Sequence, residues 1–376
     1  MRMKAAVLYG INQPLVVEEV ELDPPKAGEV LVKMVASGIC HSDLHRYTGD
    51  SETQIFPVVL GHEGAGIVQE VGEGVTRVKA GDHVVLTFLP SCGKCKWCHT
   101  GHPNKCDLGA HLREGKMLDG TTRIHHPDGT DIHNFLFNST YAEYSVAPEA
   151  SLVPVPEHLP LEKICLFGCG FTTGFGTATN KLHIRPGETI TIIGCGGLGL
   201  AAIQGARLSN AGKIIAVDIH PEKLEMAKKF GATHGVLNKH DVDEVIKEIM
   251  DITWGLGTDF SIEFVGFSES NETLNLAFQA IRKGGTMCMV GIGAKDKRTL
   301  PFDPMTLTLW RKKVTGVLFG ESQFQTDIPR FAALFEQGQI NLDDMITREL
   351  TLDQINDGFQ AVLAGNQVAR QVIRYE

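Results

Sequence analysis

Cys92, Cys95, Cys98 and Cys106 stand in a Cys-x2-Cys-x2-Cys-x7-Cys array. A packed core has no need of thiols at such short, regular steps, whereas a tetrahedral zinc does. Four thiolates at about 2.3 Å close the coordination sphere and leave no position for a substrate. The array therefore predicts a structural zinc in a tight exposed lobe over about 91–107, with free or disulfide-paired cysteines as the alternative. The chemistry must come from elsewhere, and three separated pieces carry it. They are Gly38-Ile39-Cys40-His41-Ser42-Asp43-Leu44-His45, Gly61-His62-Glu63-Gly64-Ala65-Gly66 and Cys165-Leu166-Phe167-Gly168-Cys169-Gly170. A lone Cys is more often core than ligand, and a lone His is often a surface side chain. Together the pieces offer two thiolates and an imidazole, which leave a fourth position on zinc open to water or substrate. Oxygen bound there becomes acidic near neutral pH because the metal stabilises the oxyanion.

A second chemistry is legible in Gly194-Cys195-Gly196-Gly197-Leu198-Gly199, a G-x-G-x-x-G pattern. Alone the pattern is weak, but here a buried strand precedes it and a helix pattern follows. In that setting Gly194 allows the tight turn, Gly196 lets backbone approach a pyrophosphate, and Gly199 lets helix and strand pack closely. The helix N-terminus turns N–H donors and a positive dipole toward the phosphates. Asp218 ends the next strand, where a carboxylate accepts both ribose hydroxyls of the adenosine half and repels a 2′-phosphate. NAD is therefore expected over NADP.

The elements that must position these groups fall into two textures. Up to about Val155 the chain alternates in short runs broken by Gly, Pro and Asp, such as Glu29–Val35, Gly66–Gly72 and Asp82–Leu86, which predict a barrel-like β domain. Leu108–Ser139 reads as a long excursion loop. Beyond residue 180, strands expected at Thr189–Ile193, Lys213–Val217, Val236–Leu237, Phe260–Val265, Thr286–Val290 and Val314–Leu318 are mostly separated by helical stretches, such as Leu198–Leu208 and Glu222–Phe230. That is the strand count of a doubly wound α/β fold. The length of 376 residues suits about two domains. With 35 Lys and Arg against 45 Asp and Glu, the net charge is −10, and no basic block offsets it. Nucleic acid and anionic membrane are not expected partners. No apolar stretch approaches the ~20 residues of a membrane helix, and the opening Met1–Leu8 run is too short for a signal-peptide core. Thiols used as metal ligands fit a reducing compartment, so a cytoplasmic location is expected.

In combination these motifs resemble the zinc-containing, medium-chain alcohol dehydrogenase family over essentially the whole length. The resemblance is carried by the Cys-His-Ser-Asp segment, the Gly-His-Glu-Gly-x-Gly segment, the four-cysteine lobe, Gly-Cys-Gly-x-x-Thr-Gly at 168–174, and the dinucleotide fingerprint with Asp218. It implies a GroES-like catalytic domain over 1–174 and 320–376, and a NAD-binding Rossmann domain over 175–319. It implies two zinc ions per chain, the catalytic one on Cys40, His62 and Cys169. Asp43 orients His62 from behind, and Glu63 is a candidate transient ligand. The implied reaction is reversible oxidation of a primary alcohol to an aldehyde. The alcohol proton passes along Ser42, a nicotinamide-ribose hydroxyl and His45 to solvent, while hydride moves from the carbinol carbon to C4 of the nicotinamide. Ser42 suits this because a hydroxyl both accepts and donates, and His45 because it titrates near neutrality.

The same resemblance places Thr173, Val290 and Phe319 at the nicotinamide, Asp218 and Lys223 at the adenosine ribose, and His41 and Arg370 at the pyrophosphate. His41 stands where many animal relatives carry Arg, and an imidazole holds pyrophosphate less firmly than a guanidinium. Phe88 is expected to wall the alcohol channel, where Ser42 is small enough to admit substrates wider than ethanol. Aliphatic alcohols, methanol among them, and aromatic alcohols remain open. Glutathione-dependent formaldehyde dehydrogenases carry a pocket Arg that would align near Ala110, with Arg113 close by, so that activity is an alternative. A nicotinoprotein branch, with NAD retained and an external electron acceptor, is another. It is resembled in Cys106–Ala110, Gln204–Arg207 and Phe230–His234. A non-enzymatic NAD-binding relative would lack the seven ligands present here. The excursion resembles the longer loop of dimeric members, and the outer strand near Val314–Leu318 could pair with its symmetry mate, so a homodimer is expected, with a tetramer as the alternative.

Overall fold

The computed structural model describes residues 1–51, 53–266, 271–293, 299–365 and 367–376. The chain forms two compact units, Met1–Gly170 with Ser322–Glu376, and Phe171–Glu321.

In the first unit a closed barrel runs Arg2–Leu8, Val16–Leu22, Ile124–His125, Asp131–Asn134 and Val58–Val59, the last pairing back to the first. A second sheet orders Leu152–Val155, His83–Leu86, Gly64–Val71, Glu29–Gly38, Arg370–Arg374 and Ile346–Leu350, with Tyr144–Pro148 also paired to Glu29–Gly38. Glu29–Gly38 is the centre of this sheet, and its register positions the chemistry. Ser37 pairs with Gly64, and Gly38 with Val372. The exit of one strand toward Cys40, the entry of the next from His62 and the start of Arg370–Arg374 therefore meet at one sheet end.

The expected excursion loop is partly regular. Leu108–Ser139 contains the Ile124–His125 and Asp131–Asn134 strands that complete the barrel. Two- and four-residue strands rich in His and Asp carry almost no alternation, which is why the segment reads as a loop. A buried ion pair anchors it: Arg123 is fully buried, its Nε donates to Glu29 at 2.7 Å and its Nη2 to Asp119 at 2.9 Å.

The second unit is a six-stranded parallel sheet in the order His234–Leu237, Lys213–Asp218, Thr189–Ile193, Thr258–Glu263, Ile281–Met289 and Lys313–Gly316. In chain order that is 3-2-1-4-5-6, the doubly wound dinucleotide arrangement, whose ligand site lies where the order reverses beside the first strand. Thr189–Ile193 and Lys213–Asp218, at the middle of the order, are buried on both faces, which explains their near-continuous apolar runs. Helix Pro221–Phe230 starts with Pro at its first position and stops at Gly231, whose φ of 120° ends it. Among the described residues no helix is long and apolar enough to cross a membrane.

Candidate metal centre and dinucleotide cradle

Cys40, His62 and Cys169 are all buried, and their ligand atoms lie within 4.8 Å of one another. Two absent side chains make this approach possible. A Cβ on Gly168 would sit 2.4 Å from the Leu86 carbonyl oxygen, and one on Gly38 would sit 2.1 Å from Glu63 Oε2. Cys40 precedes helix His41–Thr48, whose first turn Asp43 closes by accepting the Cys40 N–H at 3.2 Å. Asp43 is fully buried and accepts three further donors: Gly61 N–H at 3.0 Å, His62 Nδ1 at 3.1 Å and the Tyr141 hydroxyl at 2.8 Å. With Nδ1 committed to a carboxylate, His62 presents Nε2, which is buried and without a partner among the described residues. An orphaned imidazole nitrogen facing two thiols is the donor set of an open zinc site.

The charges agree with that assignment. Burial pushes the His62 pKa down, but Asp43 and Cys40 outweigh it and raise it to about 10. The Cys40 thiol is held well below its ordinary value by a hydrogen bond from Cys169 and, against burial, by His62. A cation is thus stabilised here, and a metal would take the place of the His62 proton. Glu63, fully buried, accepts Gly170 N–H at 2.6 Å and is ion-paired to Arg370, whose Nε has no partner among the described residues. To reach a metal, Glu63 would have to leave both donors. Arg370, expected at a pyrophosphate, holds Glu63 and keeps one donor in reserve.

Ser42 Oγ lies 3.8 Å from Cys40 Sγ. His45 follows at i+3 on the same helical face. The expectation that His45 titrates near neutrality is corrected: burial, and then the neighbouring His41, push it down to about 4, which leaves the imidazole neutral at physiological pH. Phe88 packs edge-on to His62 at 5.9 Å between ring centres. Phe135, which sequence reasoning missed, does the same at 5.8 Å. Tyr141 was missed too, since nothing local to it marks a contact with Asp43 98 positions away. Asp43→Asn would set an amide NH2 against donors and weaken the hold on Nδ1. Metal affinity and turnover should each fall about 10–100-fold, as read by zinc retention during dialysis against a chelator and by initial rates.

The four-cysteine lobe is a second ligand set. Its sulfurs lie within 4.8 Å of one another, and none is in a disulfide. Main-chain N–H groups point at sulfur, from Cys92 to Cys106 Sγ at 3.4 Å and from Cys95 to Cys92 Sγ at 3.3 Å. N–H donors from Cys98 and Asp107 hold the Cys95 thiol down to about 6, whereas burial pushes Cys106 up to about 12.

In the second unit, Gly194 has φ of 89° and opens the turn into helix Gly197–Leu208. A Cβ on Gly199 would lie 2.0 Å from the Gly194 carbonyl oxygen, so only glycine fits there, whereas Gly196 faces open space. The helix has no side-chain cap, which leaves its first N–H groups for a ligand. Asp218 Oδ2 accepts Cys195 N–H at 2.8 Å, tying the acidic strand end to the glycine loop, and Oδ1 accepts His220 N–H at 3.0 Å. The residues present fit a dinucleotide. Lys223 lies on the helix after Asp218, and Val290 follows Ile281–Met289, its N–H on the Glu263 carbonyl at 3.0 Å. Thr173 lies in helix Gly170–Gly176. Phe319 is buried.

Two family models match the chain: an alcohol dehydrogenase GroES-like domain over residues 26–157 and a zinc-binding dehydrogenase over 197–336. "Putative alcohol dehydrogenase D" of Mycobacterium tuberculosis is 42% identical over 99% of this chain and 100% of its own. An "NDMA-dependent alcohol dehydrogenase" of Amycolatopsis methanolica is 40% identical over 98% of each. The crystal structure of benzyl alcohol dehydrogenase from Acinetobacter calcoaceticus superposes with a TM-score of 0.92 at 31% identity over the full length of both chains. With the relatives matching end to end and both family models matching in order, the chain belongs to the zinc-dependent medium-chain alcohol dehydrogenase family.

Proposed function

We propose that this enzyme reversibly oxidises primary alcohols, aliphatic or aromatic, to aldehydes, with NAD as hydride acceptor. Cys40, His62 and Cys169 hold the catalytic zinc, and Cys92, Cys95, Cys98 and Cys106 the structural one. The observation that carries this reading is the orphaned Nε2 of His62 among two thiols, which makes three protein donors and one open position. When bound, zinc supplies Lewis acidity at the alcohol oxygen and NAD takes up the hydride. The chain's own side chains do the rest. Asp43 fixes the His62 tautomer, Ser42 takes the alcohol proton, and neutral His45 receives it. Phe88 and Phe135 keep water from the imidazole. Metal analysis should find close to two zinc ions per chain, and the purified enzyme should oxidise benzyl alcohol. One zinc, or an inert protein carrying two, would contradict the reading.

Asp218 makes NAD the preferred cofactor, because its carboxylate would face a 2′-phosphate without compensation. A clash of only about 1.4 kcal/mol already gives tenfold discrimination. Asp218→Ser with Ile219→Arg should relax the preference in kcat/KM by about tenfold or more. The Michaelis constants for both cofactors should rise, since the variant also loses the Cys195 N–H tether. An unchanged NAD preference would remove Asp218 from the ribose site.

The enzyme is proposed to work as a homodimer in the cytoplasm. The outer strand Lys313–Gly316 has no partner on one ladder edge among the described residues, and Met305, Leu309, Trp310 and Leu318 nearby in sequence are exposed apolar residues. Light scattering at micromolar concentration should give twice the chain mass, and a monomer would refute this. A second reading, with NAD retained and an external acceptor, is favoured by the likeness to the NDMA-dependent relative.

A further inference from the structure

Helix His41–Thr48 buries Asp43, Arg46 and Tyr47. Asp43 has four donors, but Arg46 finds no acceptor among the described residues. It is 3% exposed, and its Nε and Nη1 are buried with no hydrogen-bond partner among the described residues. Arg123, in the same unit, shows what a structural buried arginine looks like: Nε, Nη1 and Nη2 all donate, to Glu29, Thr121, Thr122 and Asp119. The two buried carboxylates of the centre cannot serve Arg46, because Asp43 and Glu63 are committed to the donors described above. Nor does a second cation help: Arg113 adds to the effect of burial and brings the Arg46 guanidinium down to about 10, where it is still charged at physiological pH. A buried charge without a counter-ion is costly, and neither a helix C-terminus nor a ring face offsets it fully.

The position of that charge says what it is for. The Arg46 guanidinium carbon lies 5.9 Å from the centre of the Phe135 ring, and the same ring lies 5.8 Å from His62. Phe135 therefore links the metal-ligand imidazole to an unpaired guanidinium. We infer that Arg46 is an anion-recognition point for the substrate, and that the preferred alcohol carries a carboxylate remote from its hydroxyl. This rests on the dehydrogenase reading above and adds the substrate class to it. The guanidinium fork matches a planar carboxylate, which supplies the missing acceptors to two N–H groups at once. Such an alcohol carries its hydroxyl and its carboxylate at opposite ends, as in a para-(hydroxymethyl)benzoate or a straight-chain omega-hydroxyalkanoate.

The test compares each such acid with its methyl ester, which keeps the hydroxyl and the chain and removes only the charge. Wild-type enzyme should prefer at least one acid over its ester by about tenfold or more in kcat/KM, the range of a charge-assisted hydrogen bond. Arg46→Met should collapse that acid-to-ester ratio by the same factor, and Arg46→Lys should restore part of it. Esters equal to or better than acids at every length would overturn the inference, without any variant having to fold. So would an Arg46→Met enzyme that loses acid and ester turnover equally. Benzoate competing through Arg46 with no preference among substrates would mark a free-anion site only, and would also overturn it. If acids, esters and benzyl alcohol were all inert, with NAD or with a dye acceptor, the dehydrogenase reading itself would have failed instead.

Discussion

Cys40→Ala and Cys169→Ala should each lower turnover by more than about 100-fold, beyond what losing a supporting partner of a metal ligand costs, while one zinc per chain remains. Each removes one of three protein donors and leaves His62 Nε2 with a single thiolate neighbour. The lobe keeps its four sulfurs, so metal analysis should read one zinc instead of two. Cys165→Ala is the control. That thiol is buried four positions upstream, only approaches the Glu162 carbonyl oxygen at 3.5 Å, and is no ligand. Its variant should keep both metals and most of its activity. Substantial turnover by Cys40→Ala would show that the centre is elsewhere.

Cys95→Ala should act on stability first. Structural zinc contributes about 10–16 kcal/mol in zinc-binding peptides, comparable with the whole stability of a domain. Without it, the short helix Lys96–His99 and the turns through Gly93 and Gly101 keep few contacts of their own, since none of the residues Lys96–His99 is buried. A loss of several kcal/mol corresponds to a fall in Tm of about 10 °C or more for a unit of this size. Calorimetry and zinc content should move together, from two metals to one. A variant with an unchanged Tm and two zinc ions would refute the structural assignment.

Much of this was legible in the chain because the chemistry is local. The lobe spacing lies within one short stretch of chain and the glycine fingerprint within one strand-to-helix junction, and the strand before the fingerprint is strongly apolar. The open centre was legible only in pieces, since Cys40, His62 and Cys169 meet through the Ser37–Gly64 register and the bare backbone at Gly38 and Gly168. What escaped were groups whose partners lie far away in the chain: Tyr141 on Asp43, Glu63 on Arg370, and Arg46 against Phe135. The strands at Ile124–His125 and Asp131–Asn134 escaped because barrel closure, not periodicity, holds them in place. The titration of His45 escaped because burial cannot be read from residue type.

The central claim is that this chain couples alcohol oxidation to a NAD that exchanges with solution. Purified enzyme, stripped of small molecules by gel filtration and given benzyl alcohol with added NAD, should produce NADH absorbance that grows linearly to many equivalents per active site. No NADH should form before NAD is added. His41, a weaker phosphate partner than Arg, favours that release. If the protein instead emerged with stoichiometric bound cofactor, gave no NADH from free NAD and turned over only with a dye acceptor, the account would be contradicted.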